Sequence, residues 1–323
     1  MKKILITGVN GFAGSHLSDY ILKNKLGEVT GTIRGKSSDP SNIRHNRENM
    51  KVLKCDFTDF TTVKSVIRET EPDYIFHLAA QSDVSDSWKA PHETMQSNVL
   101  GSMNLFEAVR EISPKARVQV ASSSETYGMV LESELPIRET NPLRPLSPYG
   151  VSKAAMDMMA YQYNQSYGLH IVRTRAFNHT GPRRGSVFVT SNWSRQIAEI
   201  EKGLKSAEIS VGALDSKRDF SDVRDVVRAY WMAIEKGEPG EVYNICSGKS
   251  VSMEWLLNKL LSMASDNVRK TIKVKSDPSR FRPSDVKVLE GDASKFSKRT
   301  GWKPEYTLEQ TLQDLMDYWR EKV

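Results

Sequence analysis

The chain has 323 residues, of which 38% are hydrophobic and 27% charged, with a formal net charge of +6 and two cysteines, Cys55 and Cys246. That composition suits a folded globular protein with a large core. It excludes a disulfide framework, and no apolar run approaches the roughly 20 residues that a spanning helix needs.

Lys3 to Thr7 is an apolar run, too short for a signal peptide, and it enters a glycine turn directly. It reads as a buried strand. A cytoplasmic, reducing location is therefore expected. Ser15 to Lys25 follows, with Leu17, Ile21 and Leu22 on one helical face. Strands are expected at Val29–Ile33, Val52–Leu53, Tyr74–Leu78, Val118–Ser122 and His170–Arg175, with helices at Thr62–Glu69 and Thr94–Arg110. Strands apolar on both faces, alternating with helices, indicate a parallel sheet covered on both sides. The right-handed crossover rule then gives an α/β fold: a doubly wound, Rossmann-like parallel sheet.

After about residue 170 the pattern is less regular. A helix is expected near Asn192–Lys202 and a charged amphipathic one at Tyr306–Val323. The expected division is a dinucleotide-binding domain over 1–175, to which the chain returns from its C-terminal half, and a smaller substrate-binding lobe over 176–323.

The chemistry concentrates in two motifs. Gly8, Gly11 and Gly14, with Phe12 between them, lie between a strand and a helix. Missing side chains let backbone N–H groups approach a pyrophosphate, and a helix N-terminus favours the anion. The second strand ends in Arg34-Gly35-Lys36-Ser37-Ser38, with no acid to accept from an adenosine 2′-hydroxyl. Arg34, Lys36 and Ser37 suit a 2′-phosphate, so NADP is expected over NAD. Asp56, after the third strand, is placed either to meet the adenine or to cap a helix.

Tyr149 and Lys153 are four apart and share a helix face. A phenol with a pKa of about 10 is a poor base at neutral pH, and a neighbouring ammonium favours the phenolate. Ser123 can hydrogen-bond to the reacting oxygen. Glu125 can face a sugar and take a proton from carbon next to a carbonyl, or sit in the first turn of a helix. His77 reads as structural; His179 lies beside Asn178, where it either touches substrate or does not. The six histidines show no metal-ligand spacing, so no metal is expected. The positive charge favours an anionic small molecule. Basic residues are dispersed, so neither nucleic acid nor membrane is an expected partner.

These residues resemble the extended short-chain dehydrogenase/reductase superfamily over nearly the whole chain. Within it, the sequence is similar to the branch shared by GDP-mannose 4,6-dehydratase and GDP-4-keto-6-deoxymannose reductase. His77-Leu78-Ala79-Ala80-Gln81-Ser82, Pro182-Arg183-Arg184-Gly185 and Phe188-Val189-Thr190 resemble dehydratase segments. Lys217-Arg218-Asp219 and Arg280-Phe281-Arg282-Pro283 resemble its nucleotide-sugar phosphate clamps. Phe12-Ala13, Asn178-His179-Thr180-Gly181-Pro182 and Tyr243 to Gly248 lean toward the reductase.

The resemblance implies that Ser123, Glu125, Tyr149 and Lys153 are catalytic. It places Leu78, Ala79 and Ala80 at the cofactor, and Ser82, Asn178, His179, Arg184, Val189, Arg218, Arg282 and Asp285 at a GDP-sugar. It also implies a homodimer or homotetramer. The expected reaction is conversion of GDP-mannose to its 4-keto-6-deoxy product by internal hydride transfer. The alternative is reduction of that keto-sugar.

Overall fold

The computed structural model describes residues 1–35, 39–278 and 286–323. Six strands appear in order: β1 (Lys3–Thr7), β2 (Glu28–Ile33), β3 (Lys51–Lys54), β4 (Tyr74–His77), β5 (Arg117–Ala121) and β6 (Ile171–Ala176). After β7 (Asn178–Thr180), β8 (Glu208–Val211) and β9 (Lys217–Asp222), strand β10 (Val242–Ile245) returns to the same sheet. The order across the sheet is β3-β2-β1-β4-β5-β6-β10, every neighbour parallel. This is the expected doubly wound sheet. Its direction of build reverses between β1 and β4, where a crevice opens at the strands' carboxyl ends.

Alternation along each strand feeds two cores. Ile4 and Ile6 of β1 pack with α1 (Phe12–Lys23) through Leu17 and Ile21. Leu5 points the other way, toward Val63, Val66 and Ile67 of α2 (Phe60–Thr70). Two short helices, α3 (Val84–Lys89) and α4 (Pro91–Met95), precede a π turn at Gln96–Leu100 that leads into α5 (Gly101–Ile112). The helix expected from Thr94 thus starts at Pro91 and carries a wide turn, which seats buried Asn98 against Gln81 and Ser152. Ser41–Asn49 forms an unexpected 3₁₀ segment. Only Ile43 of it is buried, so no hydrophobic period marked it.

Helix α6 (Pro148–Tyr167) positions the chemistry. Ser147 caps it by accepting from the Gly150 N–H, Pro148 opens it, and Gly168 closes it at φ 68°. Fully buried Asp157 accepts from Arg173 Nη1 at 2.8 Å and from Arg175 Nε and Nη2 at 3.0 Å each. These bonds pin α6 to β6. Arg175 also donates to Tyr127 Oη, which donates to Asn244 Oδ1 on β10.

Helix α7 (Val189–Glu201) leads into the smaller lobe, and α8 (Val223–Lys236) packs back on the central sheet beside α1. With β10, it returns residues 223–245 to the central sheet. Strand β9 pairs with β7, with β11 (Ser250–Ser252) and with Val288–Leu289. Helix α9 (Met253–Ser262), α7 and the last helix, Leu308–Lys322, close over Trp193, Leu256, Leu257 and Met316.

Removing the Asp157 carboxylate leaves two buried guanidiniums unpaired. Asp157→Ala is expected to cost about 3–5 kcal/mol in equilibrium denaturation. An unchanged midpoint would show that the pairs do not hold α6 in place.

Candidate active site

Two clefts meet at the carboxyl end of the sheet, with volumes of about 410 and 470 Å³, within the range of small-molecule sites. The first runs along the β1–α1 turn. Gly8 adopts φ 71°, and a Cβ on Gly14 would stand 2.4 Å from the Gly8 carbonyl oxygen, so the turn closes only without side chains. Helix α1 has no side-chain N-cap bond and no acid in its first turn. Its first N–H groups therefore face the cleft without an internal partner, an arrangement that fits a pyrophosphate.

Thr7 supports this floor. Its Oγ1 accepts from the N–H groups of Leu78 and Ala79 at 3.0 and 2.9 Å. Ser102 gives its proton to the Asn98 carbonyl, so it accepts from His77 Nε2, and His77 Nδ1 accepts from Thr7. Burial, helped by the charge of Lys153, holds His77 down at about 3, which keeps it neutral. His77 is thus a buried relay that fixes the Leu78-Ala79 backbone.

Leu78, Ala79, Ala80, Arg34 and Asp56 line the same cleft, with Gly8, Gly11, Phe12 and Gly14. Asp56 is not a helix cap: Asp59 caps α2, while Asp56 accepts from the N–H and hydroxyl of Thr58. Arg34 Nε lies 3.8 Å from Asp56. Lys36 and Ser37 fall outside the described residues.

The second cleft is lined by Ser123, Glu125, Asn178, Val189 and Arg218, among others. Ser82, Ser122, Tyr149, His179 and Arg184 line both clefts. Glu125 sits in a short turn, Ser124–Thr126, whose Ser123 cap accepts from the Glu125 N–H. Glu125 thus stands in the first turn of a short helix and also lines the second cleft. Arg218 donates to the carbonyls of Val286 and Lys217 at 2.6 and 2.9 Å. Arg282 and Asp285 lie outside the described residues.

The Tyr149/Lys153 pair differs electrostatically from the sequence expectation. Burial pushes the Tyr149 phenol up to about 12, against the opposing pull of a Ser123 hydrogen bond and the Arg184 charge. Burial likewise pulls Lys153 down to about 8. The Lys153 ammonium donates to the Ala121 carbonyl at 2.9 Å and stands 5.9 Å from the centroid of the Tyr149 ring. The lysine is therefore anchored to the end of β5, and the cation that favours the phenolate is Arg184.

Sequence reasoning missed the setting of Arg184. Its guanidinium carbon lies 3.4 Å from the Phe188 ring centroid and 4.9 Å from that of Phe12. It makes no ion pair with any described residue, and burial lowers it to about 10. Tyr230 of α8, on the wall of the first cleft, was also missed. No local motif marks it, because it arrives from the part of the chain that returns to the sheet. His179 stacks on Phe12 at 5.8 Å, donates from Nδ1 to the Phe177 carbonyl at 3.0 Å, and is held near 4 by burial and by Arg184.

A family profile described as GDP-mannose 4,6 dehydratase matches residues 5–315. The chain belongs to this family. GDP-mannose 4,6-dehydratase of Yersinia enterocolitica is 34% identical over 351 aligned positions, covering 98% of this chain and 93% of that protein. GDP-6-deoxy-D-mannose reductase of Pseudomonas aeruginosa is 31% identical over 322, covering 100% and 98%. The solved structure of RMD from Pseudomonas aeruginosa complexed with NADPH superposes with a TM-score of 0.84 at 30% identity, covering both chains fully. The chain is thus an extended short-chain dehydrogenase/reductase of the nucleotide-sugar type, similar to both dehydratase and reductase. No group of three or more His, Cys, Asp or Glu among the described residues could hold a metal, and no described helix is long and apolar enough to cross a membrane.

The unfolded chain keeps Lys153 charged up to about pH 10.5, the folded cleft only up to about 8. Between these values folding expels a proton, so stability rises with pH; below 8 the full burial penalty acts. Lys153→Met should therefore raise the melting temperature of the ligand-free protein at pH 7. The gap should close as the pH passes from 8 to 10.5. A variant melting below wild type at pH 7 would contradict the account.

Proposed function

We propose that this chain is an NADP-dependent GDP-mannose 4,6-dehydratase. The observation that carries this reading is the position of Glu125: it shares the wall of the second cleft with Ser123 and Tyr149, where reduction alone needs no carboxylate. The glycine turn and the uncapped start of α1 would hold the pyrophosphate, and Arg34 a 2′-phosphate. When bound, the nicotinamide supplies the acceptor for the C4 hydride and the donor that returns it to C6.

The protein's own groups handle the protons. Tyr149 takes the proton of the sugar 4-hydroxyl, with Ser123 hydrogen-bonded to the reacting oxygen. Loss of that proton from a phenol near 12 requires cations, and Arg184 and Lys153 are the buried cations beside it. The carbonyl formed at C4 acidifies C5, whose proton passes to Glu125. Water then leaves from C6, assisted by Glu125 or Ser123, and a proton taken up earlier by Tyr149 or Glu125 returns to C5 when C6 receives its hydride. Arg218 and Arg282 would hold the diphosphate, so that binding far from the reacting carbons orients the sugar. Exposed Met103, Val151, Met158 and Tyr161 on α5 and α6 support association of the chain as a dimer or tetramer.

A second reading, reduction of the 4-keto-sugar, is favoured by the end-to-end match with the Pseudomonas reductase. Incubation with GDP-mannose and NADP separates the two. A product lighter by one water, with no net NADPH formed, is expected. Untouched GDP-mannose, together with stoichiometric oxidation of NADPH by the keto-sugar, would establish the reductase instead.

Glu125→Gln should lower dehydration by about 10²–10⁴-fold while GDP-mannose still binds. Turnover near that of wild type would remove Glu125 from the proton transfer. Arg34→Ala should reduce the preference for NADP over NAD by about tenfold or more, the worth of one charge-assisted bond. An unchanged ratio of the two cofactors' kcat/KM would assign the 2′-phosphate elsewhere.

A further inference from the structure

The turn that carries Arg184 into the site holds a second arginine that enters neither cleft. Arg183 is a non-glycine residue at φ 70°, a conformation that costs free energy unless its surroundings enforce it. Its guanidinium donates to the Asn42 carbonyl at 3.1 Å, to His16 Nδ1 at 2.8 Å and to Asp19 Oδ2 at 2.6 Å. His16 and Asp19 belong to α1, whose first turn lines the dinucleotide cleft, and Asn42 to the 3₁₀ segment.

The anchors are themselves cross-linked. Asp19 accepts from His45 Nε2 at 2.8 Å and from the Asn46 amide. His16 Nε2 donates to the Pro182 carbonyl at 2.8 Å, which leaves Nδ1 as the acceptor that Arg183 needs. Burial and the Arg183 charge hold His16 near 4, so this tautomer persists at neutral pH. Asn42 Nδ2 donates to the carbonyl of Asn10 at 3.1 Å, and Asn10 lines the dinucleotide cleft.

We propose that Arg183 is a positioning residue that couples the two clefts: it transmits the state of the Asn10–Asn42 edge to Arg184, and so makes sugar-nucleotide affinity depend on the bound dinucleotide. This rests on the reading above. Arg184 is suited to such control. Aromatic faces rather than a carboxylate hold it, and those faces, Phe12 and Phe188, come from the two different clefts. With no acid to trap the guanidinium, its direction follows the backbone that Arg183 fixes. Ordering of Asn10 and Asn42 around a ligand tightens the Arg183 anchors and favours the orientation of Arg184 that faces the sugar.

The test is calorimetric binding of GDP-mannose with and without NADPH. That pair cannot react under either reading, because the cofactor already carries the hydride and the sugar carries no carbonyl. For wild type, NADPH should tighten GDP-mannose binding by about 5–150-fold, and GDP-mannose should tighten NADPH by the same factor. Arg183→Gly keeps the left-handed turn without the guanidinium; Asp19→Asn keeps the shape without the charge. In both, the ratio should fall to within about threefold of unity, with the affinity for each ligand alone changed far less. The double variant should lose no more, and Arg183→Lys should recover part of the ratio. A wild-type protein without coupling, or variants that keep the wild-type ratio, would overturn the inference and leave the dehydratase reading standing. Failure of wild type to bind either ligand would defeat that reading itself.

Discussion

One hydrogen bond organises the site: the Lys153 ammonium on the carbonyl of Ala121, where β5 ends. It ties α6 to the sheet at the depth where Tyr149, one helical turn earlier, lines both clefts at once. The ion pairs of Asp157 with Arg173 and Arg175 hold the same helix from behind. A helix so fixed cannot swing its phenol out of line when ligands arrive, which is what pre-organisation of a proton-transfer group requires.

Burial dominates the electrostatics of the cleft. Burial raises the phenol and lowers the lysine, each toward its neutral form. Arg184 is shifted the same way by burial, a guanidinium held by two aromatic rings.

Much of this was legible in the sequence. The parallel sheet announced itself because its strands are apolar on both faces, and the cradle because Gly8 and Gly14 leave room that no other residue could. Tyr149 and Lys153 stand at helical spacing, so their shared face could be read directly. What could not be read depends on long-range placement. Tyr230 reaches the cleft only because α8 and β10 come back to the sheet, a matter of topology. The tie between Arg183 and Asp19 spans 164 positions, and no local period encodes it. The expectation that Lys153 would tune the phenol rested on spacing alone; spacing does not reveal that a backbone carbonyl competes for the same ammonium. Lys36, Ser37, Arg282 and Asp285 lie outside the described residues, so their expected contacts have no geometry to set beside them.

The central claim is that a single phenol serves both clefts. A crystal structure with NADPH and GDP-mannose bound together tests it most directly. The account predicts the Tyr149 hydroxyl within about 3 Å of the sugar 4-hydroxyl, with the nicotinamide ring against the same carbon. A sugar seated with its C4 beyond hydrogen-bond reach of Tyr149, or a dinucleotide lying outside the Gly8–Gly14 turn, would contradict it.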